Sequence, residues 1–272
     1  MINIVVALLC EAKPLIDYYN LKSFNFKTPF PIYGNDRIKL IISGIGKFAS
    51  AVSTSYLFSS SEVKEKVSIW LNVGVAGHKS MEIGQGILAH KVVDVASSRA
   101  WYPSLLFKKS WDTAIVQTYD EVVKDYPEGV LVEMEASGFC AAASYFSMSE
   151  FIHCYKVISD NALKSSKQIN KGIVEELIHC HIENVVEIIE SLLDLTVQLE
   201  DLQKVPQRFE EILSRWHFTL SEKYRLQKVL RALEMCDLQS LSFDEEIKKY
   251  SKGRDVLKFL EKKLDLQAIT FA

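Results

Sequence analysis

The sequence predicts an α/β protein with a mainly parallel or mixed sheet, followed by a small all-helical appendage. Three observations lead there. Over the first two-thirds of the chain, short aliphatic runs alternate with helix-period segments. Several of those runs are continuous rather than alternating, as expected of strands covered on both faces. From about Thr196 onward Gly253 is the one glycine left, and leucines alternate with charges at helical spacing.

In chain order, the aliphatic runs predict strands over 2–9, 37–43, 67–73, 86–93, 113–118, 129–132 and 151–158. Helix patterns fall over 12–19, 47–59 and 136–146. A longer amphipathic helix is expected over 172–195, with Ile173, Leu177, Ile178, Val185, Ile188, Ile189 and Leu192 on one face. The appendage, 196–272, reads as helices over 208–216, 221–236 and 243–264. Ser221 and Asp244 are candidate N-caps and Pro206 a helix start. Domain boundaries are therefore placed at 1–195 and 196–272.

With 272 residues, 48% of them hydrophobic, the chain can bury a large core. A net charge of -3 carries no basic excess for nucleic acid or a membrane surface. The apolar start lacks a charged leader region and reads as a first core strand. Five cysteines (Cys10, Cys140, Cys154, Cys180 and Cys236) without close pairing in sequence suggest reduced thiols and a cytoplasmic location. His179-Cys180-His181 lies inside a helical pattern, where neighbours face different ways, so a structural role outweighs metal binding.

The chemistry-bearing residues sit at the ends of the buried runs. Val132-Glu133-Met134-Glu135-Ala136 puts two carboxylates where a strand runs into a helix, and Ile158-Ser159-Asp160 ends another strand with an acid. Buried acids are expensive, and open α/β sheets keep their ligands at these ends. Glu11 closes the first strand, or is a first-turn acid favoured by the helix dipole. Ser43-Gly44-Ile45-Gly46-Lys47 and Asn72-Val73-Gly74-Val75-Ala76-Gly77 read as two small-residue turns at strand ends. Each is either a cradle for a ligand or simply a crowded turn.

These segments, in this order, resemble the nucleoside phosphorylase superfamily over roughly residues 1–195, most closely its methylthioadenosine/S-adenosylhomocysteine nucleosidase branch. The resemblance implies a three-layer α/β/α fold around a central mixed sheet and cleavage of a purine nucleoside or thionucleoside, without a metal or organic cofactor. It implies that Glu135 accepts hydrogen bonds from the ribose hydroxyls and that Met134 flanks the sugar. Asp160, steadied by Ser159, serves the departing base, and Glu11 orients a water. Gly44, Gly46, Val75, Lys156 and Val122 complete the implied substrate-binding set. Lys156 stands where the nucleosidases carry an Arg, and Val122 falls near the family's base-stacking aromatic, with Tyr119 close by. The stretch from Asp94 to Val132 is shorter than in the nucleosidases. A homo-oligomer is also implied.

Two other readings stay open. In a phosphorolytic enzyme, phosphate would be a second partner, held by Gly44, Gly46, Lys47 and Arg99. A carboxylate at position 11 opposes that, because like charges repel. In a ligand-sensing or interaction protein, the helical appendage would be the working part.

Overall fold

A computed structural model describes the chain except for residues 25–27, 61–66, 165–168, 204, 207, 236–243 and 269–272. Cys236 and the start of the helix expected from 243 lie outside the described residues. The chain divides into two compact units, Met1–Thr196 and Val197–Ala272.

The first unit runs β1 (Ile2–Val6), α1 (Leu9–Tyr18), β2 (Lys22–Ser23), β3 (Ile32–Gly34), β4 (Ile38–Ile42), α2 (Lys47–Ser59), β5 (Ile69–His78), β6 (Gly86–Asp94) and β7 (Ala100–Trp101). It continues through β8 (Thr113–Thr118), β9 (Val130–Glu133), α3 (Ala136–Ala143), β10 (Ile152–Asp160) and α4 (Lys171–Cys180) into α5 (Ile182–Gln203). The expected strands and the bounds of α2 and β8 are found. Short β2, β3 and β7 carry too few apolar residues to announce themselves.

The sheet is mixed. β1 pairs in parallel with β4 and β5, and β5 in parallel with β10. β10 then pairs antiparallel with β6, β6 and β9 flank β8 in parallel, and β9 returns antiparallel to β5. Five strands thus close a ring, and β1, β4, β3 and β2 extend from it as an open sheet. Side chains of a strand alternate between faces. Val5, Ile41 and Trp70 therefore share one core with Leu57 of α2 and Phe139 of α3. Ile4, Leu40 and Leu71 are as deeply buried, and α1 packs on β1, β4 and β5 and against α4. Gly138 lets α2 and α3 approach: a Cβ there would lie 1.8 Å from the Lys47 carbonyl oxygen.

The helix expected over 172–195 is two helices, broken at His181. The Gly84 carbonyl can only accept, so His181 Nε2 carries the hydrogen in that 2.7 Å bond. Nδ1 is left to receive the Tyr155 hydroxyl at 2.7 Å and the Asn184 amide at 3.0 Å. The bonds to Gly84 and Tyr155 hold His181 at the break between α4 and α5. The segment 72–77 is also no turn. β5 runs through it to His78.

The second unit holds α6 (Phe209–Arg215), α7 (Leu220–Met235), α8 (Asp244–Ile247) and α9 (Gly253–Ala268). Its core gathers Ile212, Phe218, Leu226, Leu230, Val256 and Leu260. The helix expected over 243–264 is interrupted before Gly253, where a Cβ would lie 2.5 Å from the His217 carbonyl oxygen. Thr219, not Ser221, caps α7: its amide donates to Glu222 Oε2 at 2.9 Å while its hydroxyl accepts the Glu222 amide at 3.4 Å. Pro206 precedes α6 rather than opening it, accepting the Phe209 amide on its carbonyl at 2.9 Å.

Candidate active site

The β1–α1 and β9–α3 connections and the carboxyl-terminal parts of β5 and β10 border one cavity of about 400 Å³. That is a small-molecule volume. Glu11, Val75, Val122, Met134, Glu135, Ser159 and Asp160 all line it. Of the remaining expected site residues, Gly44 and Gly46 form the turn behind Ile45, which is on the wall, and Lys156 lies behind the carboxylates.

Glu11 is not at a strand end, because β1 stops at Val6. It is in the first turn of α1 and reaches back to cap it. Its Oε2 accepts the Ala7 and Leu8 amides, both at 2.9 Å, and its Oε1 accepts the Val75 amide at 3.1 Å. Burial pushes its pKa upward, against the pull of Lys156 and these N–H groups.

The glycines of β5 explain why this strand imitates a turn in sequence. A Cβ at Gly74 would lie 2.9 Å from Glu11 Oε1 and 3.5 Å from Lys156 Nζ. One at Gly77 would lie 2.8 Å from Asp160 Oδ2. Glycine is required because the acids press onto the strand backbone.

Glu133 and Glu135 divide their work. Glu133 ends β9 and is fully engaged inside the protein. It accepts the Glu135 amide at 2.9 Å, the Ala136 amide at 2.7 Å and the Thr118 hydroxyl at 2.5 Å. Lys156 Nζ completes its shell at 3.0 Å. Glu135, at the N-cap of α3, accepts a 2.8 Å bond from the Gly46 amide, and it faces the cavity. Gly46 reaches it with φ at 102°, a conformation glycine permits. Burial first, and Glu133 second, push the Glu135 carboxyl up to about 7. Burial alone would depress the Lys156 ammonium, but Glu133, Glu135 and Glu11 together hold it above its ordinary value.

Asp160 ends β10. Ser159 Oγ donates to its Oδ1 at 2.5 Å, and the Tyr126 hydroxyl donates to its Oδ2. Sequence reasoning missed Tyr126. It stands alone in a polar stretch, and nothing local marks it. Tyr119, considered for the base end, instead bonds Gln117 Oε1 at 2.8 Å. Lys47 is held by Asp94 at 2.8 Å and Asp120 at 2.9 Å. Arg99 lies over the Trp101 ring. Among the described residues no cluster of three or more His, Cys, Asp or Glu is arranged to hold a metal ion.

No family model and no curated protein sequence matches the chain. Solved structures do. The 5′-methylthioadenosine/S-adenosylhomocysteine nucleosidase of S. pneumoniae, solved with a transition-state inhibitor, superposes with a TM-score of 0.57 at 20% identity, over 70% of this chain and 99% of that one. The Neisseria meningitidis nucleosidase, solved with methylthio-immucillin-A, gives 0.54 at 18%, over 70% and 98%. The Arabidopsis thaliana 5′-methylthioadenosine nucleosidase gives 0.57 at 14%, over 70% and 94%. Sequence identity is low while nearly the whole of each neighbour is covered, so the chain is built on the fold of the methylthioadenosine/S-adenosylhomocysteine nucleosidases.

Proposed function

We propose that the chain hydrolyses the N-glycosidic bond of a purine nucleoside or thionucleoside. The observation that carries this reading is the convergence of Glu11, Glu135 and Asp160 on one cavity, with Glu133 on the same wall and Lys156 behind it as counter-charge to Glu133, Glu135 and Glu11. Glu135 accepts hydrogen bonds from the ribose hydroxyls and offsets the positive charge that develops on the sugar as the bond breaks. The bond's electron pair leaves with the base, which takes from Asp160 a proton that the carboxyl group has picked up from solvent. Water adds to the anomeric carbon and surrenders a proton toward Glu11.

Phosphate is disfavoured as the nucleophile. Three carboxylates surround a single ammonium in and behind this wall, and Lys47 is already paired with two acids. The same reading makes the protein cytoplasmic, in keeping with free thiols at Cys10, Cys140, Cys154 and Cys180. It also makes it self-associating, for which exposed Phe48 and Val52 on α2 offer an apolar face. Among the described residues no helix is long and apolar enough to cross a membrane.

Incubation with 5′-methylthioadenosine and with unmodified purine nucleosides, with and without phosphate, tests the reaction. Free base and free pentose should form at a rate independent of phosphate. Glu135→Gln and Asp160→Asn should each slow it by about a hundredfold or more. Pentose phosphate as product would establish phosphorolysis, and indifference to both substitutions would remove the enzyme reading.

A further inference from the structure

The base end of the cavity contains a residue that neither the motifs nor the fold comparison points to. We infer that Tyr126 is a positioning residue for Asp160, holding its carboxyl group in place so that a proton taken up there from solvent is passed to the departing base. This inference rests on the proposed hydrolysis.

Tyr126 belongs to the irregular stretch between β8 and β9 and lines the cavity beside Val122 and Val123. Its hydroxyl donates to Asp160 Oδ2 while Ser159 donates to Oδ1. The carboxylate is therefore gripped on both oxygens by donors from two separate parts of the chain. A carboxylate pivots about its last torsion, which is broad and soft. One donor leaves that rotation open, and two on opposite oxygens fix it.

The place is built to accept the ring. A Cβ at Gly77 would lie 2.5 Å from Tyr126 Cε1 and 2.8 Å from Asp160 Oδ2, so a larger residue at 77 would make the ring and the carboxylate shift. The stretch carrying Tyr126 is also pinned on either side of it, by Lys47 to Asp120 and by Lys79 to Glu128. Tyr126 is thus brought to the acid by a tethered segment.

A positioning role and a merely structural one differ in what they make the reaction sensitive to. If Tyr126 acts through Asp160, its hydroxyl matters only when the leaving group needs a proton. A purine does. 4-Nitrophenolate does not, because its nitro group delocalises the charge. The test compares Tyr126→Phe with the unaltered full chain on a purine nucleoside and on 4-nitrophenyl ribofuranoside. The expected result is a ten- to hundredfold loss of kcat on the nucleoside, the range of one hydrogen bond to a charged group, with KM within about twofold and turnover of the aryl riboside unchanged. Equal loss on both substrates, or no loss on the nucleoside, overturns the inference while leaving the hydrolase reading intact. Failure of the unaltered protein to cleave either substrate overturns both.

Discussion

Replacing Glu135 by Gln should make the protein more stable at pH 8 while removing a group required for turnover. Glu135 is 8% exposed and shares its surroundings with Glu133. Its carboxyl is pushed from 4.5 to about 7, by burial before anything else. A folded-state pKa above the unfolded one means that the folded chain keeps a proton the unfolded chain has released. Stability is therefore full below about pH 4.5 and falls as pH rises through 7. A displacement of that size corresponds to about 3 kcal/mol. Gln keeps a carbonyl oxygen for the Gly46 amide, which Glu135 now accepts at 2.8 Å, and carries no charge to bury. The variant and the unaltered protein should have matching stability near pH 4.5, and the variant should gain up to about 3 kcal/mol at pH 8. Urea unfolding at a series of pH values, followed by tryptophan fluorescence with fully buried Trp70 as a reporter, reads the difference. With a urea slope of about 2 kcal/mol/M the midpoint moves by 1–2 M. A variant less stable at pH 8, or a difference independent of pH, would refute the argument that an ionised Glu135 is the burdened state.

Lys156→Met should act in the opposite direction. It strands Glu133 and its neighbouring acids without a buried counter-charge, at about 3–5 kcal/mol near pH 8. Part of the loss returns toward pH 5 as Glu11 and Glu135, both already raised, take up protons, and urea midpoints at the two pH values measure it. Gly138→Ala should cost about 1–3 kcal/mol by forcing α2 away from α3. Because the Gly46 amide that holds Glu135 lies at the start of α2, KM for the nucleoside should rise as well. An unchanged thermal midpoint would show that the contact is easily relieved.

Much of this molecule is legible in its sequence because strands covered on both faces must be continuously apolar. Those runs, and the acids at their ends, are visible without a structure. The preference for Glu135 over Glu133 rests on the resemblance instead, since residues two apart share a strand face for as long as the strand continues. Here it stops at Glu133 and Glu135 caps a helix. What stayed hidden depends on distant partners. The glycines at 74 and 77 look like turn formers until Glu11, Tyr126 and Asp160 are seen pressing against them. His181, at the break between α4 and α5, is held by Gly84 and Tyr155, far away in the chain. Cys140 and Cys154, unremarkable by spacing, bring their Sγ atoms within 3.7 Å.

The closed ring of strands also makes the two ends of the cavity depend on different strand pairings. β10 is the last strand in the chain, and it inserts between β5 and β6, with Cys154 opposite Asn72 and Tyr155 opposite Leu88. Pairing over such separations carries a loop-closure penalty that grows slowly with length. β1, β4, β5 and α1 form the cradle around Glu11 from the first third of the chain, and β8 and β9 bring Glu133. Asp160 is placed by the pairings that shut the ring. A chain with β10 unseated would hold Glu11 and Glu135 and lack Asp160, so the cavity is complete only in the closed ring.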